Sequence, residues 1–345
     1  MSMIYSVIIP TFNRAEQLLL TLGSFQLQAF PKEQFEVIVI DDGSSDNTKE
    51  VVETFQASYS LVYLANSKNR GRSYARNKGI KNAKGTYLVF CDTDFIVTPE
   101  FLKLVFNYQK KIPNTIISAT PRSLGVVYTH YYPEFNDKQK QDMFITLNNH
   151  SLWKNEFPNN NAGIINILKL EDLYQSFNNI EHFISPAVID PFKKLQFQQT
   201  DVAPWLLFVT RCVTVKKGDV EKAGYFDEKI TKYGLEDWEL GFRLYNMGLS
   251  FISMEETVGF HQEHPREKTN RQNILSNLQI IYEKYGFSHP ELNLLAVEPP
   301  WLNLGKYKNR LRTLERYKKT GRKPELKKLL KKWENKAKMF YNNKK

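Results

Sequence analysis

Hydrophobic positions between Ile4 and about Thr120 fall into short β-branched runs that alternate with amphipathic stretches. The runs are YSVIIP (5–10), FEVIVID (35–41), SLVYLA (60–65), TYLVFCD (86–92) and TIISAT (115–120). Helical spacing occupies 14–28, 46–57, 72–83 and 99–110 between them. Strands that are apolar almost throughout, separated by helices, predict a mostly parallel sheet covered on both faces, hence an α/β fold. Thr98-Pro99-Glu100 predicts a helix start with a threonine cap and proline at the first helical position.

The pattern changes at 121–200, where Asn, Gln, Tyr and Phe are common and periodicity is weak, as in an insertion of loops and short helices. A compact block follows from about Pro204 to His264. It predicts a strand at 208–215, a helix opening near Gly218, a stronger helix from Leu235 to Met247 and a strand near 249–260. Beyond Pro265 the chain reads as helical to its end. There Leu326, Leu329, Leu330, Trp333, Ala337 and Phe340 recur at helical spacing, with lysines on the remaining surface. These shifts divide the chain into 1–120, 121–203, 204–285 and 286–345.

With 345 residues, 41% of them hydrophobic, the chain can bury one large core or two smaller ones, which excludes a wholly disordered protein. The longest apolar-rich stretch, from Ala203 to Val215, is broken by Thr210 and Arg211, so no transmembrane helix is predicted. The N-terminus has no basic residues before its short apolar run and reads as a first strand, not a signal peptide. Cys91 and Cys212 lie in apolar runs, as expected of buried thiols in a reducing cytoplasm.

Charge changes the picture once it is located. Of the net +11, the segment from Trp301 to Lys345 carries +14 (17 Lys+Arg against 3 Asp+Glu), which leaves −3 on the other 300 residues. The body is slightly acidic and the tail strongly basic. Without zinc spacing, an RNP-like motif or a basic patch in the body, no nucleic-acid partner is expected. The amphipathic tail fits two roles, packing on the body or lying on an anionic membrane surface through 306–345, and packing is the first expectation.

Ligands of an open parallel sheet bind beyond the carboxyl ends of its strands. Those ends here are Pro10-Thr11-Phe12-Asn13-Arg14, Asp41-Asp42-Gly43, and Asp92-Thr93-Asp94; Asn69-Arg70-Gly71 and Ala75-Arg76-Asn77 follow the third strand. Acidic tips and a basic loop converging on one edge suit a phosphorylated ligand bridged by a divalent cation. Neither GxGxxG after the first strand nor GxxxxGK[ST] occurs, which argues against dinucleotide redox chemistry and P-loop phosphoryl transfer. Asp-x-Asp at a strand end suits Mg2+ or Mn2+. Spacing alone leaves blander roles open. Asp42 fits a solvated turn carboxylate, Arg76 an exposed helix-surface arginine, and His261 a structural histidine. Glu236 and Asp237 fit a pair that favours the helix dipole, and Glu239–Arg243 an ordinary i,i+4 pair.

VIIPTFNR, VIVIDDGSSD, NRGRSYARNKGI and AKGTYLVFCDTD occur in this order over about 4–105. Together they resemble the family 2 glycosyltransferases with the GT-A fold. GYFDEKITKYGLEDWELGFRLYNMG (224–248) is similar to the galactosyltransferase-type C-terminal module of bacterial chondroitin-polymerase-like enzymes, and FHQEHPREKTNRQN (260–273) to that group's metal-binding histidine segment.

The resemblance implies a UDP-sugar donor, an inverting displacement and a Mn2+ or Mg2+ ion, with imidazole favouring manganese. It implies donor contacts from Pro10, Thr11, Phe12, Arg14, Asp42, Asn69, Gly71, Arg76, Asp92, Thr93 and Lys268. Asp42 would meet the nucleobase and Arg76 the diphosphate, with Arg266 and Lys268 screening phosphate charge. Asp94 and His261 would ligate the metal, with His264 as a substitute. Asp237 would be the general base, seconded by Glu236. On this reading 1–120 binds the nucleotide sugar, 121–203 faces the acceptor and 204–285 is the catalytic module. The acceptor would be a hydroxyl of a cell-surface polysaccharide or lipid-linked glycan, or else a peptide side chain. The expected place is the cytoplasm, at the inner membrane face where the tail binds lipid. The alternative of another class is a non-enzymatic, basic-tailed membrane- or nucleic-acid-binding scaffold.

Overall fold

The computed structural model describes residues 2–343 apart from 121–124, 155, 158–162, 187–190 and 266–269. Its strands in chain order are β1 Tyr5–Thr11, β2 Phe35–Asp41, β3 Ser60–Ala65, β4 Tyr87–Cys91, β5 Phe95–Val97, β6 Thr115–Ser118, β7 Val126–Val127, β8 His130–Tyr131, β9 Ile165–Asn166, β10 Cys212–Lys216, β11 Ser250–Ser253 and β12 Gly259–Gln262. Seven of them form the central sheet in the order β11-β6-β10-β4-β1-β2-β3. Every pairing in it is parallel except those of β10, which runs against β4 and β6.

Strand burial explains why the apolar runs are continuous. Along β1 and β2, Ile8, Ile38 and Ile40 enter one core, while Tyr5, Val7, Ile9, Val37 and Val39 enter another on the opposite face. Successive side chains of a strand point to opposite faces, so a sheet covered on both sides needs an apolar residue at every position. The helices Ala15–Gln26, Thr48–Thr54, Arg72–Asn82 and Phe101–Lys111 connect the strands as expected from the periodicity.

Four local expectations shift. The helix predicted to open at Thr98-Pro99 begins instead at Phe101, with Glu100 at its N-cap and no side-chain capping bond. Thr98 is held by β12's approach, donating its backbone N–H to Val258. The expected strand 208–215 is shortened to β10, which starts only at Cys212, and a 3-10 turn at Pro204–Leu207 precedes it. The single strand expected near 249–260 is two, β11 in the central sheet and β12 in a second sheet ordered β5-β12-β7. Glu239–Arg243 is not an ordinary surface pair. Glu239 is buried, bonded by Arg243 at 2.9 and 2.7 Å and by Tyr285 at 2.5 Å.

The region 121–200 has short helices, among them Asp137–Asn148 and Leu170–Gln175, and a core of its own around Tyr128, Tyr131, Phe135 and Leu173. The tail forms the helices Pro300–Lys319 and Lys323–Asn342. Tyr307, Leu311, Leu314, Trp333 and Ala337 bury its apolar face in the same core as Ile8 and Phe90. Packing on the body is therefore what the stripe does. With Trp333 only 2% exposed, Trp333→Ala is expected to cost about 3–5 kcal/mol. Urea unfolding would show this as a lower midpoint at unchanged slope.

Candidate active site

The first cluster is built by the second sheet. Asp92, Thr93 and Asp94 turn the chain from β4 into β5, with the N–H of Phe95 donating to the carbonyl of Asp92 at 3.2 Å. Thr93 is buried and donates through Oγ1 to Oγ1 of Thr11 at 3.1 Å, joining the ends of β4 and β1. Antiparallel pairing then sets His261 of β12 opposite Phe95, and the N–H of Gln262 donates to the carbonyl of Asp94 at 2.8 Å. This ladder brings together residues far apart in the chain.

Asp94 Oδ2 lies 3.6 Å from His261 Nε2 and 3.2 Å from His264 Nε2. Asp94, His261 and His264 are the group of described residues whose ligand atoms all fall within 4.8 Å of one another. The other carboxylate oxygen, Oδ1, is buried without a hydrogen-bond partner among the described residues. A buried carboxylate oxygen left bare costs free energy, and a cation would satisfy it. His264 Nδ1 sits 2.9 Å from the Pro265 carbonyl, so the tautomer with the proton there leaves Nε2 free to ligate, an orientation common among metal-binding histidines. This donor set fits a divalent cation. Burial alone would raise the pKa of Asp94, but His261 and His264 outweigh it and hold the carboxyl well below its usual range. Burial opposes the charged form of His264, yet its bond to Asp94 raises its pKa.

The supports behind this cluster are polar and buried. Gln262 donates to the Gln17 carbonyl at 2.9 Å and to Thr21 Oγ1 at 3.1 Å, while its oxygen accepts from Thr129 at 3.0 Å. Gln139 donates to Glu263 at 2.6 Å and to the His264 carbonyl at 3.0 Å. The 121–200 region thus braces the histidine segment from outside.

The second cluster sits at the start of the helix Glu236–Asn246. Gly234 and Leu235 both have positive φ, +97° and +72°, which turns the chain sharply into the helix. Asn277 fixes this turn, donating to the carbonyl of Gly234 at 2.6 Å. Trp238 anchors the helix by donating to the Leu206 carbonyl at 3.1 Å. Asp237 Oδ1 accepts the Trp238 N–H at 2.8 Å. Burial first, and the neighbouring Glu236 carboxylate second, push the Asp237 pKa up to about 7.

The helix Arg72–Asn82 ties the two clusters together. Ser73 donates to the Ile230 carbonyl at 2.9 Å, and Asn77 both donates to the Phe226 carbonyl and accepts from its N–H at 2.9 Å. Gly71, at φ +92°, passes so close to Thr231 that a Cβ there would stand 2.7 Å from its carbonyl oxygen. Only glycine tolerates that conformation and that approach together.

These elements match known proteins in the same places. The model of Glycosyl transferase family 2 matches residues 6–164. The uncharacterized glycosyltransferase YfnE of Bacillus subtilis is 32% identical over 286 residues, covering 81% of this chain and 70% of YfnE. The chain belongs to glycosyltransferase family 2. Chondroitin synthase of Escherichia coli is 31% identical over 267 residues; the match covers 75% of this chain and 35% of the synthase. The chain therefore spans about a third of that relative's length. The fold is similar to that of S. aureus TarS 1-349 solved in complex with UDP, with a TM-score of 0.53 at 18% identity over 98% of this chain and 89% of that one. The architecture is GT-A, and the family makes the protein a glycosyltransferase, which sets aside the non-enzymatic scaffold.

Within this glycosyltransferase several residues stand differently from expectation. Arg76, expected at the diphosphate, is fully buried beneath the site. Its Nη1 is 3.1 Å from Glu236 and its Nη2 3.6 Å from Asp92, so it joins the two acidic motifs. Asp42, expected at the nucleobase, already accepts from Asn66 at 2.8 Å and from the N–H groups of Arg70 at 3.0 Å and Gly71 at 2.8 Å. It shapes the loop that Asn69 also braces by accepting the Gly71 N–H at 3.1 Å. Phe12 is 44% exposed beside Pro10 and Thr11 at the open end of β1, and Arg14 is half-buried at the following helix start. Arg266 and Lys268 lie outside the described residues. Sequence reading passed over Arg72 and Arg211. Arg211 is half-buried, its Nε has no hydrogen-bond partner among the described residues, and its carbonyl accepts the Asp92 N–H at 3.1 Å. The repeated arginines of NRGRSYARN were the available signal, but spacing does not reveal which one opens to the site.

Proposed function

We propose that this glycosyltransferase is inverting and metal-dependent, moving a hexose or N-acetylhexosamine from a UDP-sugar to a hydroxyl of a polysaccharide or lipid-linked glycan. The observation that carries the reading is Asp94, with one bare buried oxygen and the other facing two imidazole nitrogens. Imidazole ligands favour Mn2+ over Mg2+. When bound, such an ion offsets the negative charge that builds on the departing diphosphate. The UDP bound in the TarS structure and the similarity to chondroitin synthase support the donor and the polysaccharide acceptor.

The chain's own residues would supply the rest. Phe12 offers an exposed ring to the base at the end of β1. Asp92 and Glu236 are held in place from below by Arg76. Asp237 takes the acceptor hydroxyl's proton as that oxygen forms its bond to the anomeric carbon. The bond from that carbon to the diphosphate breaks, the diphosphate leaves with the electron pair, and a single displacement inverts the centre. A raised pKa suits this task, because a base with a pKa near neutrality is strong enough to take the proton while a substantial fraction stays ionised. The test is a panel of nucleotide sugars with Mn2+, scoring diphosphate released by hydrolysis without acceptor. Turnover of UDP-sugars that EDTA abolishes supports the reading; full turnover in EDTA overturns it.

We also propose that the tail's outer surface rests on anionic lipid. No helix among the described residues is long and apolar enough to cross a membrane. Lys327, Lys328, Lys331 and Lys332 are all exposed, whereas Trp333 and Ala337 face inward. Attachment would therefore be electrostatic, at about 1 kcal/mol per lysine near the surface. Replacing these four lysines with glutamine should abolish co-sedimentation with vesicles rich in anionic lipid at low salt. Equal sedimentation of both proteins would remove the idea. Truncating the tail is a poorer test, because it would strip the core of Trp333.

A further inference from the structure

With Arg76 committed to Glu236 and Asp92, the site needs another cation to meet a diphosphate. Arg72, one helical turn earlier, is exposed to solvent. Its guanidinium lies over the ring of Tyr233, 4.9 Å from the centroid, and no protein hydrogen bond to it is present among the described residues. Crowding by neighbouring atoms works against its charge, but Asp92, Glu236, Tyr233 and Asp94 outweigh that and raise its pKa. Of those partners, Asp92 and Asp94 belong to the acidic turn after β4 and Glu236 to the start of the helix Glu236–Asn246. Tyr233 is 41% exposed, and its hydroxyl feels the charges of Arg72, Asp237, Glu236 and Arg211.

We infer that Arg72, its guanidinium over the ring of Tyr233, is the residue that grips the donor's diphosphate and stabilises it as it leaves. A planar guanidinium stacked on an aromatic ring keeps its edge donors free and pre-oriented, which suits bidentate contact with phosphate oxygens. The same stack links the nucleotide-binding loop to the 231–235 turn, so diphosphate contact would steady the segment that carries Asp237. The proposal rests on the transferase reading given above.

Binding of inorganic pyrophosphate, UDP and uridine, each with Mn2+, tests it on the full chain by calorimetry. Arg72→Ala is expected to weaken pyrophosphate and UDP by about 10- to 100-fold and to leave uridine unchanged. Arg72→Lys should fall between, since it keeps the charge and loses the fork. Tyr233→Ala should weaken pyrophosphate in the same direction by less. In turnover, Arg72→Ala should lower kcat as well as raise the donor KM. Unchanged pyrophosphate affinity overturns the inference, and so does an equal loss for uridine. If wild type binds pyrophosphate but not UDP, the uridine donor fails while Arg72 is still judged by pyrophosphate. If it binds neither, both readings fall.

Discussion

Asp237→Asn is expected to lower kcat by about 10²- to 10⁴-fold while leaving donor affinity nearly unchanged. The amide keeps the shape and the bond from Trp238 but cannot take a proton. Wild-type kcat/KM should rise with pH through about 7, because the base works only when ionised and its pKa is raised to about 7. The same shift has a consequence for stability with the opposite sense. Folding favours the protonated form, so its stabilisation is complete below the unfolded value near 4 and is lost as pH rises through about 7. Asp237→Asn should therefore be more heat-resistant than wild type, with a gain that grows from about pH 4 to pH 7 and then levels off. A variant that kept a substantial fraction of turnover, or a pH profile flat across this range, would remove Asp237 from the role.

Asp94→Asn is expected to lower kcat/KM by about 10²- to 10³-fold and to abolish tight Mn2+ binding. Its carboxylate stands 3.6 Å from His261 and 3.2 Å from His264, so it is the member common to both contacts. His261→Ala and His264→Ala separate the two imidazoles. Loss of metal in only one of them identifies the ligand; loss in both makes the site three-sided. Manganese titration followed by electron paramagnetic resonance reads this directly. Retained manganese affinity in Asp94→Asn would dismantle the metal reading whatever happened to turnover.

The TarS complex and chondroitin synthase bear on substrate only by similarity, and the chain spans about a third of the synthase. What the site itself says is chemical. A carboxylate oxygen without a partner among the described residues, two imidazoles, an arginine over an aromatic ring and a carboxyl of raised pKa are the parts that the proposed displacement at a glycosyl diphosphate would use.

Much of the fold was readable along the chain because burial on both faces of a sheet leaves a local signature. Every residue of β2 is buried, and FEVIVID reads accordingly. The tail's stripe, with Trp333 and Ala337 at its centre, was equally plain, since one helix face carries the whole signal. Ordered motifs that resemble a known family also singled out Asp94, His261, Glu236 and Asp237, and the fold brings Asp94 and His261 together. Other features depended on partners far away in sequence. The division of 249–260 into β11 and β12 follows from pairing with β6 and β5, which no local pattern encodes. His264 joins Asp94 because that pairing carries the chain past it. Arg76 and Arg72 are four residues apart on one helix and chemically identical. One is buried with its guanidinium on Glu236 and Asp92, and the other is exposed and lies over the Tyr233 ring. Periodicity reports which face is apolar; the neighbours of a charge are set by elements that meet only in the folded chain.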